Sequence, residues 1–147
     1  MKSINEKAPV IAKEDIIINA PMSKVWGQLT AITEWVKWQR DIEKVEIDEE
    51  LMVGSEFTWK SGGVNIKSKV HTLNGSQAFG WTGKTMGILA VHNWYLEEVS
   101  GEGVRVEVEE SMEGILAFLF KGMMVKSLRR GMVTWLRYLK ESCEAER

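Results

Sequence analysis

Residues 104–140 read VRVEVEESMEGILAFLFKGMMVKSLRRGMVTWLRYLK, and the period of their apolar side chains changes at Gly114. Before this glycine, valines alternate with charged residues, which is typical of a strand with one buried face. After it, apolar residues recur at helical spacing and form one stripe. The members of this stripe are Phe120, Met124, Leu128, Gly131, Trp135 and Leu139. The sequence therefore predicts a strand followed by a long helix, whose stripe must pack against another element.

The period of two also governs most of the chain upstream of this stretch. It predicts strands at residues 42–50, 55–61, 64–74, 77–82, 88–99 and 104–112. The separators contain glycine, which adopts the positive φ of tight hairpin turns, so the strands form an antiparallel meander. Phe57 and Trp59 alternate with polar residues and mark the buried face of the sheet.

The first part of the chain adds one strand and two short helices. A β-branched run at 14–19 predicts the first strand, and Pro21 suits the first position of a helix because that position needs no N–H donor. A second short helix is expected at 32–38. We therefore expect an N-terminal arm at 1–13 and one α+β domain at 14–147, in which about seven antiparallel strands curve around the long helix.

Composition excludes several classes of protein. The chain has 147 residues, of which 44% are hydrophobic and 27% charged, and its net charge is −2. That charge gives no electrostatic basis for binding nucleic acid. The longest apolar run, at 115–120, is far shorter than the roughly 20 residues that span a bilayer. We therefore expect a cytoplasmic protein without stable membrane insertion.

Charge is unevenly distributed along the chain. Residues 121–140 contain six basic side chains and no acidic one, whereas residues 97–113 contain seven acidic side chains and only Arg105. A basic helix face is usually a solvated face. The alternative is peripheral contact with an anionic membrane or an acidic partner, through the C-terminal helix.

The residue types needed for several kinds of catalytic site are missing. Two histidines on opposite sheet faces and the single Cys143 do not give metal-ligand spacing. The sequence also contains no phosphate-binding glycine loop and no nucleophile elbow centred on serine. We therefore expect no metal and no cofactor.

Several short motifs, in this order, resemble a known family. They are Asn19-Ala20-Pro21 with Val25-Trp26, then Trp35 and Trp38, Gly54-Ser55-Glu56-Phe57, His92-Asn93-Trp94-Tyr95-Leu96-Glu97, and Glu109-Glu110-Ser111-Met112-Glu113-Gly114. Over about residues 15–144 the chain resembles the polyketide cyclase/dehydrase group of the START-like (SRPBCC) superfamily. The resemblance implies a helix-grip fold with a hydrophobic cavity between the sheet and the long helix. Members bind lipids, sterols, polyketides or plant hormones, so the fold implies a pocket but no particular chemistry.

One ionisable pair is expected on the inward face of the sheet. Inward residues of a hairpin oppose inward residues, and a loop centred on Gly101 sets Trp94 opposite Val108 and His92 opposite Glu110. A carboxylate beside an imidazole in an apolar wall favours the charged form of both. The pair could be purely structural, could orient the polar end of a ligand, or could act in acid–base catalysis. His71 falls on the outward face and is expected to be solvated.

Three functions are consistent with this sequence. The first is binding of a small hydrophobic molecule, resembling a lipid, polyketide or sterol. The second is a cyclase or dehydratase in which His92 and Glu110 move protons, and the third is a ligand-free interaction module of the chaperone-activator type. The predicted ligand-binding residues are Trp38, Phe57, Trp59, Ile66, Val70, Trp81, His92, Trp94, Val108, Glu110, Phe120, Met124 and Leu128.

Overall fold

The computed structural model describes residues 1–145 and contains an antiparallel sheet with helices on one face. The strands are β1 (Val10–Ile18), β2 (Ile42–Ile47), β3 (Glu56–Ser61), β4 (Val64–Asn74), β5 (Ala78–Thr85), β6 (Ile88–Val99) and β7 (Gly103–Glu113). The helices are α1 (Met22–Thr30), α2 (Trp35–Trp38), α3 (Ile115–Leu119) and α4 (Lys121–Glu144), and a 3₁₀ turn at Ile32–Glu34 precedes α2.

The seven strands form one sheet in the order β1-β7-β6-β5-β4-β3-β2. Every neighbouring pair is antiparallel, so β2 to β7 form the predicted meander and β1 pairs with the last strand. The long helix α4 packs against β1 and α1. This arrangement is the helix-grip fold, and it confirms the fold class predicted from the sequence.

The register of the last hairpin is the one predicted. His92 lies opposite Glu110, and Trp94 lies opposite Val108. A slip of one residue would turn Glu107 and Glu109 toward the core, so the alternation of valine and glutamate in β7 selects this register.

The first strand begins earlier than predicted. β1 starts at Val10, so the boundary expected at residue 14 falls inside a strand. Val10 and Ala12 are buried on its inner face. The four residues 10–13 show only a weak alternation, which is why the sequence pattern did not reveal them as part of the sheet.

The N-terminal segment before β1 packs on the outer face of the sheet. The Asn5 N–H donates a hydrogen bond to Ser111 Oγ at 3.0 Å, and the side-chain amide of Asn93 donates one to the Lys2 carbonyl at 3.0 Å. Ile4 is buried in this segment. The segment is therefore tied to the domain and is not a free arm.

His71 is on the outward face, as expected, but it is not simply solvated. It lies at a register shift of β4, is half-buried, and its Nδ1 accepts a hydrogen bond from the Lys2 N–H at 3.3 Å. Burial lowers the pKa of His71 below its ordinary value of 6.5, although a hydrogen bond with Asn93 partly opposes this. The N-terminal segment thus shields a residue that the sequence placed in solvent.

The predicted long helix is two helices. The chain leaves helical geometry at Phe120, where φ is −113° and ψ is 28°, and this residue separates α3 from α4. The buried residues of α4 are Met132, Trp135, Leu136, Leu139 and Cys143. Trp135 and Leu139 of the predicted stripe are buried, and Met124, Leu128 and Gly131 lie on the same side of the helix, beside the sheet. Phe120 departs from the stripe, because it lies at the break before α4 and is 49% exposed.

The core is centred on aromatic side chains. Trp35 of α2 is fully buried, and its indole N–H donates to the Leu29 carbonyl at 2.9 Å. Its ring centroid lies 5.1 Å from that of Trp135 and 5.6 Å from that of Trp81. The short helix α2 therefore joins α4 to the middle of the sheet.

Candidate functional site

A cavity of about 370 Å³ lies between the sheet and α4. The helix contributes Met124, Ser127, Leu128, Gly131, Met132 and Trp135. The sheet and its turns contribute Trp59, Ser61, Val64, Ile66, Trp81, Gly83, Thr85, Met86, Ile88, Ala90, His92, Glu110 and Met112. The walls are mainly apolar, so the site suits a small apolar molecule.

The structure brings part of the predicted ligand-binding set to this cavity. Those that line it are Trp59, Ile66, Trp81, His92, Glu110, Met124 and Leu128. Those that do not are Trp38, Phe57, Val70, Trp94, Val108 and Phe120.

These six residues lie outside the cavity for three physical reasons. Phe57, Val70, Trp94 and Val108 point inward as predicted, but they are fully buried in the packed part of the core. Trp38 packs on Trp135, at a centroid distance of 5.8 Å, and Trp135 faces the cavity instead. Phe120 is exposed at the helix break.

Some cavity residues were not among the predicted ligand contacts. They are Ser61, Val64, Gly83, Thr85, Met86, Ile88, Ala90, Met112, Ser127, Gly131, Met132 and Trp135. Val64, Ile88, Ala90 and Met112 lie on the inward face of their strands, as alternation from Trp59, His92 and Glu110 would indicate. Alternation predicts which face of a strand is inward, but it does not predict which part of the sheet lies next to the space left by α4.

Gly131 keeps part of this space open. A Cβ atom built on it would meet no atom within 4 Å outside its own helical turn. Glycine in a helix interior costs roughly 0.5–1 kcal/mol relative to alanine. No close helix–sheet approach explains Gly131, so its absent side chain adds to the volume of the cavity.

His92 and Glu110 are the ionisable pair in the cavity wall. His92 Nδ1 lies 2.6 Å from Glu110 Oε1, and each side chain is 9% exposed. The imidazole stacks on Trp81 at a centroid distance of 4.4 Å and an interplanar angle of 17°, and on Trp94 at 5.6 Å and 24°. Two indoles and one carboxylate thus hold the ring in a single orientation.

This orientation leaves one nitrogen of His92 available. Glu110 accepts the Nδ1–H, so in the neutral imidazole the lone pair is on Nε2. Nε2 is buried and has no hydrogen-bond partner within residues 1–145. The site can therefore accept a hydrogen bond from a ligand hydroxyl, or take its proton, at one point of an otherwise apolar wall.

Residues 1–145 contain no group of three His, Cys, Asp or Glu side chains arranged to hold a metal ion. Across the same residues, no helix combines the length and apolar content needed to cross a membrane.

Comparison with known proteins gives a family. The profile of the family described as polyketide cyclase / dehydrase and lipid transport matches residues 9–144. A search among curated proteins finds no match to the chain.

Solved structures share the fold at low sequence identity. A hypothetical protein of Helicobacter pylori superposes with a TM-score of 0.87 at 16% identity, covering 98% of each chain. The ZhuI aromatase/cyclase of Streptomyces sp. R1128 gives 0.76 at 15% identity, covering 91% of this chain and 93% of its own. A START superfamily protein of Mycobacterium smegmatis gives 0.66 at 8% identity, covering 88% and 98%.

These likenesses establish the fold, and the profile match over most of the chain establishes the family. The antiparallel sheet, the α4 helix and the cavity between them agree with both. The chain belongs to the polyketide cyclase/dehydrase and lipid transport family.

Proposed function

We propose that this protein binds a small apolar molecule carrying one hydroxyl or enol group, of a lipid-, polyketide- or sterol-like kind. The observation that carries the proposal is the unpartnered Nε2 of His92 beside an apolar cavity. A buried nitrogen without a partner costs about 1–3 kcal/mol, which a ligand hydroxyl would recover. Burial of ligand surface supplies the main driving force, at about 25 cal/mol per Å².

The walls favour a ligand with flat rings. Trp59, Trp81 and Trp135 line the cavity and present aromatic surface to it. Offset and edge-to-face contacts between aromatic rings add about 0.5–1.5 kcal/mol each beyond burial. A partly aromatic ligand would therefore bind more tightly than a saturated one of equal area.

A second candidate is a cyclase or dehydratase activity on such a ligand. The supporting observation is that Glu110 holds the Nδ1 side of His92, which leaves Nε2 as the basic atom. This is the orientation that a general base requires. His92 Nε2 would then take the proton of an enol, and the enolate carbon would attack a second carbonyl of the same ligand, forming the ring bond and an alkoxide. Glu110 would stabilise the imidazolium until it returns the proton to that alkoxide.

Binding is tested with a neutral fluorescent apolar probe such as N-phenyl-1-naphthylamine and two matched variants. Met124 lines the cavity, whereas Val133 of the same helix is exposed and lies outside it. Met124→Trp should fill the cavity and weaken saturable probe binding at least tenfold, and Val133→Trp should leave it unchanged. Equal binding by the two folded variants would refute the cavity site.

The role of His92 is tested with two probes of similar size, 1-naphthol and 1-methylnaphthalene. The wild-type protein should prefer the naphthol by roughly fivefold, as expected for one net hydrogen bond of about 1 kcal/mol. The double variant His92→Phe/Glu110→Leu should abolish this preference while still binding 1-methylnaphthalene, because neither the imidazole nor a freed carboxylate is left to accept from the hydroxyl. A preference that survives this double substitution would exclude the His92–Glu110 pair as the polar contact.

A further inference from the structure

An apolar surface surrounds one end of the cavity. It consists of Met86 in the β5–β6 turn together with Ile115, Leu116, Phe118, Leu119, Phe120 and Met123, and we call it the apolar patch. Ile115 is 77% exposed and Phe118 is 63% exposed, and Ala117 is the buried residue of α3. A monomeric soluble protein rarely exposes so many neighbouring apolar side chains without a binding role.

The apolar patch is continuous with the cavity. Met86 belongs to both, and Met124, next to Met123, lines the cavity from α4. Gly114 fixes this geometry, because its φ of 123° and its close approach to the Gly87 carbonyl exclude a side chain. α3 is thereby held beside the β5–β6 turn, at the end of the cavity.

Basic side chains flank the apolar patch. The segment 114–140 contains no Asp or Glu. The first half of α4 carries four basic residues, Lys121, Lys126, Arg129 and Arg130. All four are exposed, and none lies within ion-pair distance of a carboxylate in the part of the chain that the structure describes. Lys121 Nζ lies 5.6 Å from the centre of the Phe118 ring, so cation and apolar surface are directly adjacent.

From this combination we propose that the apolar patch docks the protein on an anionic lipid bilayer. The apolar side chains would enter the interfacial region, and the four cations would contact lipid phosphates. The net charge of the whole molecule is −2, which does not favour contact with anionic lipids. Attraction to the bilayer therefore depends on the four cations beside the apolar patch. The cavity would then open toward the membrane.

A second copy of the chain fits this surface less well. A symmetric dimer through the apolar patch would bring Lys121, Lys126 and their counterparts together, and like charges across an interface are unfavourable. A bilayer containing acidic lipids satisfies both the apolar and the basic parts of the surface. This inference adds a location to the proposed function but does not depend on ligand binding.

The test is cosedimentation with sucrose-loaded vesicles of phosphatidylcholine, with and without 40 mol% phosphatidylglycerol. The wild-type protein should bind the anionic vesicles, and added salt should weaken binding. Phe118→Ser/Leu119→Ser should lose binding, whereas Met52→Ser/Val53→Ser, a pair exposed elsewhere, should retain it. Lys121→Gln/Lys126→Gln should weaken binding on the order of tenfold or more, from about 1 kcal/mol per cation, and Lys7→Gln/Lys44→Gln should not.

Failure to bind anionic vesicles, or equal binding by the Phe118→Ser/Leu119→Ser variant, would overturn the proposal. Sedimentation equilibrium could instead show that the wild-type protein is a dimer and that the Phe118→Ser/Leu119→Ser variant is a monomer. That result would assign the apolar patch to a second copy of the chain and would also overturn the proposal. If probe binding in the cavity fails but vesicle binding depends on these residues, the docking surface stands and only the proposed function is refuted.

Discussion

At the scale of single residues, His92 and Glu110 occupy the position with the greatest chemical consequence. Their side chains meet on adjacent strands, each 9% exposed, and two tryptophans stack on the imidazole. A buried polar group that loses its partner destabilises the folded state by more than the complete pair stabilises it. We therefore expect the loss of either partner to lower the free energy of unfolding, whether or not a ligand binds.

A double-mutant cycle of His92→Phe and Glu110→Gln measures this dependence. We expect a coupling energy of about 1–3 kcal/mol, because His92→Phe leaves the Glu110 carboxylate buried without its partner, whereas Glu110→Gln removes the charge that the imidazole contacts. Urea denaturation gives the free energy of unfolding of each variant. The exposed pair Lys44 and Glu46, 3.0 Å apart, serves as the control and should couple by less than about 1 kcal/mol. Zero coupling between His92 and Glu110 would contradict their contact.

Cys143 gives a second test at this scale. Burial raises the pKa of its thiol from the ordinary 9.0 to about 11. At pH 8 the thiolate is therefore roughly a hundredfold scarcer in the folded than in the unfolded chain. Ellman's reagent should react far more slowly with native protein than with protein in urea, and similar rates would contradict burial. The folded thiol holds its proton more tightly, so this contribution to stability is complete below pH 9 and is lost as pH rises through about 11.

At the scale of elements, α4 combines two conflicting roles. It must pack on the core through Met132, Leu136 and Leu139, and it must also leave space beside the sheet. Gly131 meets the second need at the expense of helix stability. The helix is therefore not optimised for packing at the cavity.

Substitution of Gly131 separates these roles. Gly131→Ala should raise the free energy of unfolding by roughly 0.5–1 kcal/mol, since the new methyl group meets no neighbouring atom. Gly131→Leu should keep the protein folded and weaken binding of the apolar probe. Gly122→Leu, at an exposed glycine of the same helix, is the control and should leave probe binding intact. A destabilising Gly131→Ala would show that the helix lies closer to the sheet than described.

In the molecule as a whole, the two faces of the sheet make different contacts. The inner face forms the aromatic core and the cavity. The outer face carries hydrogen bonds to the N-terminal segment, from Asn93 to the Lys2 carbonyl and from the Asn5 N–H to Ser111. Stability and ligand binding should therefore respond independently to changes on opposite faces.

Ile4 tests this separation. Ile4→Ala should lower the free energy of unfolding by about 2 kcal/mol, because the side chain is 6% exposed. Ile115→Ala, at a highly exposed isoleucine, should change it by less than about 0.5 kcal/mol. Probe affinity should be unchanged in Ile4→Ala, measured where the variant is folded. A loss of affinity would show that the outer face influences the cavity.

Local patterns in the sequence predicted the order of the elements, the inward face of the sheet and the pairing of His92 with Glu110. These features depend on period, turn glycines and alternation, which act between near neighbours in a strand or across one hairpin. Packing between distant elements set the start of β1 at Val10, the break at Phe120 and the division of the inward tryptophans between core and cavity. A cavity is the volume that remains after such elements pack, so residues of identical pattern can differ in their place. Trp94 contacts Trp135 of α4 at a ring-centroid distance of 5.5 Å, whereas Trp81 lines the cavity.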